Sequence, residues 1–205
     1  MTSALEAILR ESASRHRHLC PRQVLGARMA LYACGLLGLD LPRADKRLLV
    51  TAETDGCTVD GLISATGCHV GGRTLRILDF GKVAATFTDT ASGASLRLIP
   101  HREARRLAAE YAPSAINHWQ AMLLVYQVMP PEELFTVQQV ELSTPLAQTI
   151  SRAGVKAVCE GCGEEVINGR EVSRGNATLC RACAGDRYFQ VVSGRELVTP
   201  GRRPG

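Results

Sequence analysis

Two cysteine pairs near the C-terminus constrain this chain more than any other feature. Cys159-Glu160-Gly161-Cys162 and Cys180-Arg181-Ala182-Cys183 are separated by seventeen residues. A C-x2-C pair forms a tight knuckle that aims two thiolates at one point. Two pairs at this separation supply the four ligands of a closed tetrahedral zinc site, structural rather than catalytic because no position stays open. Gly161 and Gly163 can relieve the backbone as amides turn toward the sulfurs. Between the pairs, a hairpin is expected over 166–172 around Asn168-Gly169. After the second pair, a short helix is expected over 181–188. Together these describe a treble-clef or zinc-ribbon-like finger over 153–192, and a segment of about 40 residues with few large apolar groups needs its metal to fold. A redox dithiol is the alternative, and no βαβ pattern surrounds either pair to support it.

The other four of the eight cysteines stand singly within the first 68 residues. Disulfide scaffolds reach this density only in much shorter secreted chains. The N-terminus lacks the apolar stretch of a signal peptide, so a cytoplasmic location and metal ligation or redox use of cysteine are expected. No apolar run reaches 18 residues, which predicts no membrane span. A net charge of +4 without a Lys/Arg block argues against a nucleic-acid surface. In the finger, Arg170, Arg174, Arg181 and Arg187 are offset by Glu160, Glu164, Glu165, Glu171 and Asp186. Aromatics are only 4% of residues, so the core must come from Leu, Val, Ile and Ala. Apolar content beyond what so few aromatics would bury in a monomer points to a homodimer.

The first 152 residues read as one α+β domain. Helices are expected over 3–15, 22–39, 58–66, 102–110 and 114–128 from apolar periodicity and caps. Leu48 to Thr54 is rich in β-formers and reads as a buried strand. Strands over 75–78, 82–88 and 96–100 are expected to form an antiparallel meander, with 134–142 as a further alternating strand. Cys34, in an apolar helical run, reads as a small core residue. The tail, 193–205, reads as disordered.

One further stretch has chemical character. His16, His18 and Cys20 alternate before Pro21, so an extended backbone would put two imidazoles and a thiol on one face at the start of a helix. Such a trio suits a metal or a thiolate; the competing reading is a basic surface arm. Cys57 follows the buried strand at a strand-to-helix switch, a position where open α/β sheets commonly bind ligands. Asp60, one helical turn later, could orient a histidine or take a proton.

These pieces together resemble the FmdE-like proteins, named for one component of formylmethanofuran dehydrogenase. The resemblance rests on His16-x-His18-x-Cys20-Pro21 with Gly26 and Arg28. It also rests on Glu53-x3-Cys57-x2-Asp60 with Thr66-Gly67-Cys68, and on Asp79-x-Gly81-Lys82 before Phe87-Thr88. Arg17 stands where that family usually carries glycine between the histidines, and Arg22 where Cys-Pro-Gly is common. The resemblance implies a thioredoxin-like core, a mixed and partly antiparallel sheet flanked by helices, followed by a treble-clef finger. It implies a pocket built from His16, His18, Cys20 and Cys57, with Asp60, Cys68 and Lys82 near. It implies association with the subunits of a molybdenum or tungsten dehydrogenase.

Three functions follow in order. The first is a metal-binding accessory protein in which His18, Cys20 and Cys57 hold a second Zn2+ or similar cation. The second is a partner-binding adaptor with a vestigial pocket. The third, a zinc-finger regulator of nucleic acid, lacks an aromatic platform or basic stripe. No reaction or substrate is legible.

Overall fold

The computed structural model describes residues 3–16, 18–150 and 152–191. The chain forms two compact units, Met1–Ile150 and Ser151–Gly205. The tail expected to be disordered, 193–205, lies outside the described residues, as does Arg17.

The first unit runs α1 (Ser3–Ser14), α2 (Pro21–Leu36), β1 (Leu48–Ala52), α3 (Thr58–Thr66), β2 (Leu75–Ile77), β3 (Ala85–Asp89) and β4 (Ser95–Pro100). It continues through α4 (Ala104–Tyr111), α5 (His118–Val125), α6 (Pro131–Leu134), β5 (Phe135–Gln139) and α7 (Leu146–Thr149). The sheet order is β2-β1-β3-β4-β5, with β1 and β2 parallel and the other neighbours antiparallel. A mixed sheet with helices packed on it is thus present. Its core joins Leu5 and Leu9 of α1, Val24 and Met29 of α2, Val50 of β1, Leu62 of α3, Phe87 of β3 and Leu98 of β4. These are almost all aliphatic, as the scarcity of aromatics required.

The expected meander is corrected in one respect. β2 does not pair with β3; it pairs with β1, which lies between them. The cause is the loop after β2. Glu53, just past the end of β1, accepts hydrogen bonds on its carbonyl oxygen from the amides of Phe80 and Lys82, both at 3.0 Å. The chain therefore crosses the end of β1 instead of turning back beside β2. The amide of Glu53 then donates to the Ala84 oxygen at 2.9 Å, which seats the approach to β3 on the far side. Consecutive buried residues Leu48, Leu49 and Val50 suit β1 to an interior position.

In the second unit, β6 (Lys156–Val158) pairs with β7 (Glu165–Ile167), and β8 (Val172–Arg174) pairs with β9 (Ala177–Leu179). The hairpin expected around Asn168-Gly169 is absent. Both residues have positive φ, 67° each, and turn the chain out of β7, while the second hairpin closes at Gly175-Asn176. The helix expected over 181–188 is also absent. Ala184 bonds to the Cys180 oxygen, and Gly185, at φ 102°, ends the turn at once. The charged run around Asp186 and Arg187 has no apolar stripe to bury. Each C-x2-C pair thus directly follows a strand. Among the described residues, no helix is long and apolar enough to cross a membrane.

Candidate functional site

Two helix starts meet where the sequence places thiols. Cys20 precedes α2 with an extended backbone, φ −120° and ψ 157°, and Pro21 opens the helix. Cys57 caps the start of α3. The two helices pack closely enough for this because Gly26 lies against the Thr58 carbonyl, where any side chain would collide. Cys20 is buried and Cys57 half-buried. Burial pushes the Cys20 thiol up, against the pull of the Gln23 amide, and the Cys57 thiol beside it adds to the rise.

Gln23 locks the entrance to α2. It is fully buried, its Oε1 accepts from the Cys20 amide at 2.7 Å, and its Nε2 donates to the Ser12 oxygen at 2.9 Å. One side chain therefore ties the end of α1 to the start of α2 and fixes both ends of the loop between them. A legible signal existed for this residue: a glutamine three positions after a cap is the far half of a capping box.

The histidines divide. His16 sits in the turn that continues α1, its amide bonded to the Ala13 oxygen at 3.1 Å, and its Nε2 pairs with Oδ2 of Asp60. His18 instead meets Trp119 edge-on, ring centroids 6.2 Å apart. The segment is not one extended run, so the alternation of imidazoles does not place them on one face. Asp60 does orient a histidine, and that histidine is His16. Nothing in the sequence indicated Trp119, which reaches His18 only through the placing of α5.

Cys68 and Lys82 lie elsewhere. The Cys68 sulfur packs against the Leu48 oxygen at 3.6 Å, at the start of β1. Cys57 follows the other end of that strand, about 13 Å away at the rise of a β-strand. Burial pushes the Cys68 thiol up, and burial with Cys68 nearby pushes that of Cys34 up to about 12, as suits two core residues. Lys82 is exposed beside Glu53. The Glu53 carboxylate is gripped by the Arg97 guanidinium at 2.5 and 2.8 Å, which holds it below the usual range. Glu53 organises the loop after β2 through its backbone and β4 through its side chain, a role its place in the motif did not reveal.

The four C-terminal cysteines are drawn together. Their sulfurs all lie within 4.8 Å of one another, the one such group of potential ligands found among the described residues. The 3.9 Å between Cys162 and Cys180 matches the roughly 3.8 Å edge of a tetrahedron with 2.3 Å metal–sulfur bonds. Amides of Cys180, Cys162 and Gly161 hold the Cys159 thiol down at about 6. Cys162 is pulled down by the Glu164 amide, yet the crowding thiol of Cys159, burial and the other two cysteines push it up to about 12. Four thiols sharing protons at this range are a donor set suited to a cation. Gly161 is required here, since a Cβ would lie 3.2 Å from the Cys183 sulfur, and Gly163 adopts φ 76°.

The family model described as FmdE, molybdenum formylmethanofuran dehydrogenase operon, matches residues 15–136. A probable S-adenosyl-L-methionine-binding protein of Archaeoglobus fulgidus is 29% identical over 219 aligned positions, covering 96% of this chain. The chain spans 57% of the length of that relative. The crystal structure of an FmdE-like protein of tungsten formylmethanofuran dehydrogenase from Syntrophus aciditrophicus matches with a TM-score of 0.56 at 18% identity. That match covers 91% of this chain and 95% of the other, and shows a shared fold.

Proposed function

The chain belongs to the FmdE family, and from that premise we propose that it is a metal-binding accessory protein of the FmdE kind. Its partners on this reading are the subunits of a molybdenum- or tungsten-dependent formylmethanofuran dehydrogenase-type system, which it joins in the cytoplasm as a homodimer. The observation that carries the metal reading is the meeting of Cys20 and Cys57 at two helix starts, with the His16–Asp60 pair on the first turn of α3. Helix N-termini favour thiolates, and a carboxylate behind an imidazole raises its basicity as a ligand. Cys20 and Cys57 would hold the cation, His18 would complete the set by leaving Trp119, and Asp60 would keep His16 in its tautomer. A bound Zn2+ with an open position would supply Lewis-acid character. The second unit would hold a closed Zn2+ on Cys159, Cys162, Cys180 and Cys183, as in a treble-clef or ribbon finger.

The experiment is metal stoichiometry on the purified chain. Two ions per chain are expected, falling to one in Cys57→Ser and in His18→Ala. The divided histidines favour a second reading, an adaptor whose pocket is vestigial. One ion per chain, indifferent to both substitutions, would establish the adaptor instead.

A further inference from the structure

The eight cysteines sort into three sets. Four gather in the second unit, and Cys34 and Cys68 are each 1% exposed within the core of the first. Cys20 and Cys57 remain, side by side where α2 and α3 begin, one 8% exposed and the other reachable from solvent. We infer that Cys20 and Cys57 form a dithiol that exchanges with small organic disulfides, with Cys57 attacking and Cys20 resolving. This reaction shares its two thiols with the metal reading and does not need a bound ion.

The asymmetry of exposure assigns the roles. A disulfide approaching from solvent meets Cys57 first. The Cys57 thiolate attacks one sulfur of R–S–S–R, forming a Cys57–S–S–R bond and releasing one RS−. Cys20, deprotonated in turn, attacks the Cys57 sulfur, forms the Cys20–Cys57 bond and releases the second RS−. The chain is oxidised by two electrons, the small disulfide is reduced to two thiols, and the two protons lost by the cysteines balance those gained by the leaving groups. Each step leaves negative charge on sulfur beside a helix N-terminus, where it is favoured. The glycine crossing of α2 and α3 holds the two attachment points together, so the bond can close without unfolding either helix.

The test uses the full reduced chain, oxidised glutathione as the probe, and peptide mapping under non-reducing conditions. Trypsin places Cys20 in residues 18–22 and Cys57 in residues 48–73, which also contains Cys68. The expected product is these two peptides joined, abolished in Cys57→Ser and retained in Cys68→Ser. In Cys20→Ser, Cys57 should accumulate as a mixed disulfide with glutathione, at least tenfold over the wild-type chain. A wild-type chain that stops at the mixed disulfide, links Cys20 to another cysteine, or leaves Cys57 unmodified overturns the inference. Added Zn2+ separates the two readings. Slower linkage supports metal on the same thiols; unchanged linkage overturns the metal reading and leaves the exchange reaction standing.

Discussion

Gly26 and Gly61 form a reciprocal contact. A Cβ on Gly26 would lie 2.1 Å from the Thr58 carbonyl oxygen, and a Cβ on Gly61 would lie 2.1 Å from the Gln23 carbonyl oxygen. Helices α2 and α3 therefore cross backbone to backbone, and neither glycine can be replaced without forcing them apart. Real side chains do not approach carbonyl oxygens so closely, so the helices would have to move. Gly61→Ala is expected to lower the unfolding free energy by about 3 kcal/mol, the upper part of the overpacking range. Urea denaturation measures it, and an unchanged midpoint would mean the helices do not cross there. Because Cys20 and Cys57 depend on the crossing, the same substitution should slow their linkage by oxidised glutathione.

Arg28 serves α5 from α2. Its guanidinium donates to the carbonyl oxygens of Tyr126 and Met129, each at 2.7 Å, in the segment that closes that helix. Burial pulls its pKa down from the usual arginine value, although it remains charged. Arg28→Met would leave both carbonyls without this charged donor, at a cost of about 3 kcal/mol for the pair. Lysine cannot reach both with one nitrogen, so Arg28→Lys should recover less than half. Thermal unfolding of the two variants checks the order.

Asp89 predicts an acid limb in the stability profile. The Arg47 guanidinium beside it, helped by the Ala91 amide and the Ser92 hydroxyl, holds its carboxyl down at about 2. A carboxylate whose folded value lies below its unfolded one stabilises fully above the unfolded value near 4, and loses that stabilisation as pH falls through about 2. Arg47 is half exposed, so solvent screening reduces the effect to about 1–2 kcal/mol. Between pH 4 and 2, Asp89→Asn should lose less stability than the unsubstituted chain, although it starts lower. Parallel slopes for the two would count against the ion pair.

The second unit should lose its order with its metal. Removing one of four thiolates by Cys180→Ser is expected to reduce the metal content by one ion and to abolish amide protection in β6 through β9. Protection in α2 and β1 should persist, because their core is aliphatic and contains no ligand. Structural zinc contributes on the order of 10 kcal/mol to such small units. Hydrogen exchange with mass readout distinguishes this from a uniformly destabilised chain. Retained protection in β6 through β9 of the metal-free variant would sink the idea.

Much of this protein could be read from local pattern. The helices over 3–14, 21–36 and 58–66 and the buried strand at 48–52 follow from apolar spacing, Pro21 and the β-formers of β1. The four-cysteine cluster follows from ligand chemistry at fixed short intervals, and Cys34 as a core residue from its apolar neighbours. The family resemblance came from residues spread over 15–136, where the family model also matches.

What only the tertiary structure decided is which distant groups meet. The order of strands turned on the Glu53 carbonyl, which draws the loop after β2 across the end of β1. No local spacing encodes that crossing. The histidines parted because Asp60 and Trp119, 44 and 101 positions away from them, offer separate partners. Two thiols 37 positions apart came together because two glycines let two backbones touch. Periodicity and ligand spacing act over a few residues and are written in the chain. Register, crossings and neighbours are settled by the packing of the whole unit, and the thiol pair at the starts of α2 and α3 exists only there.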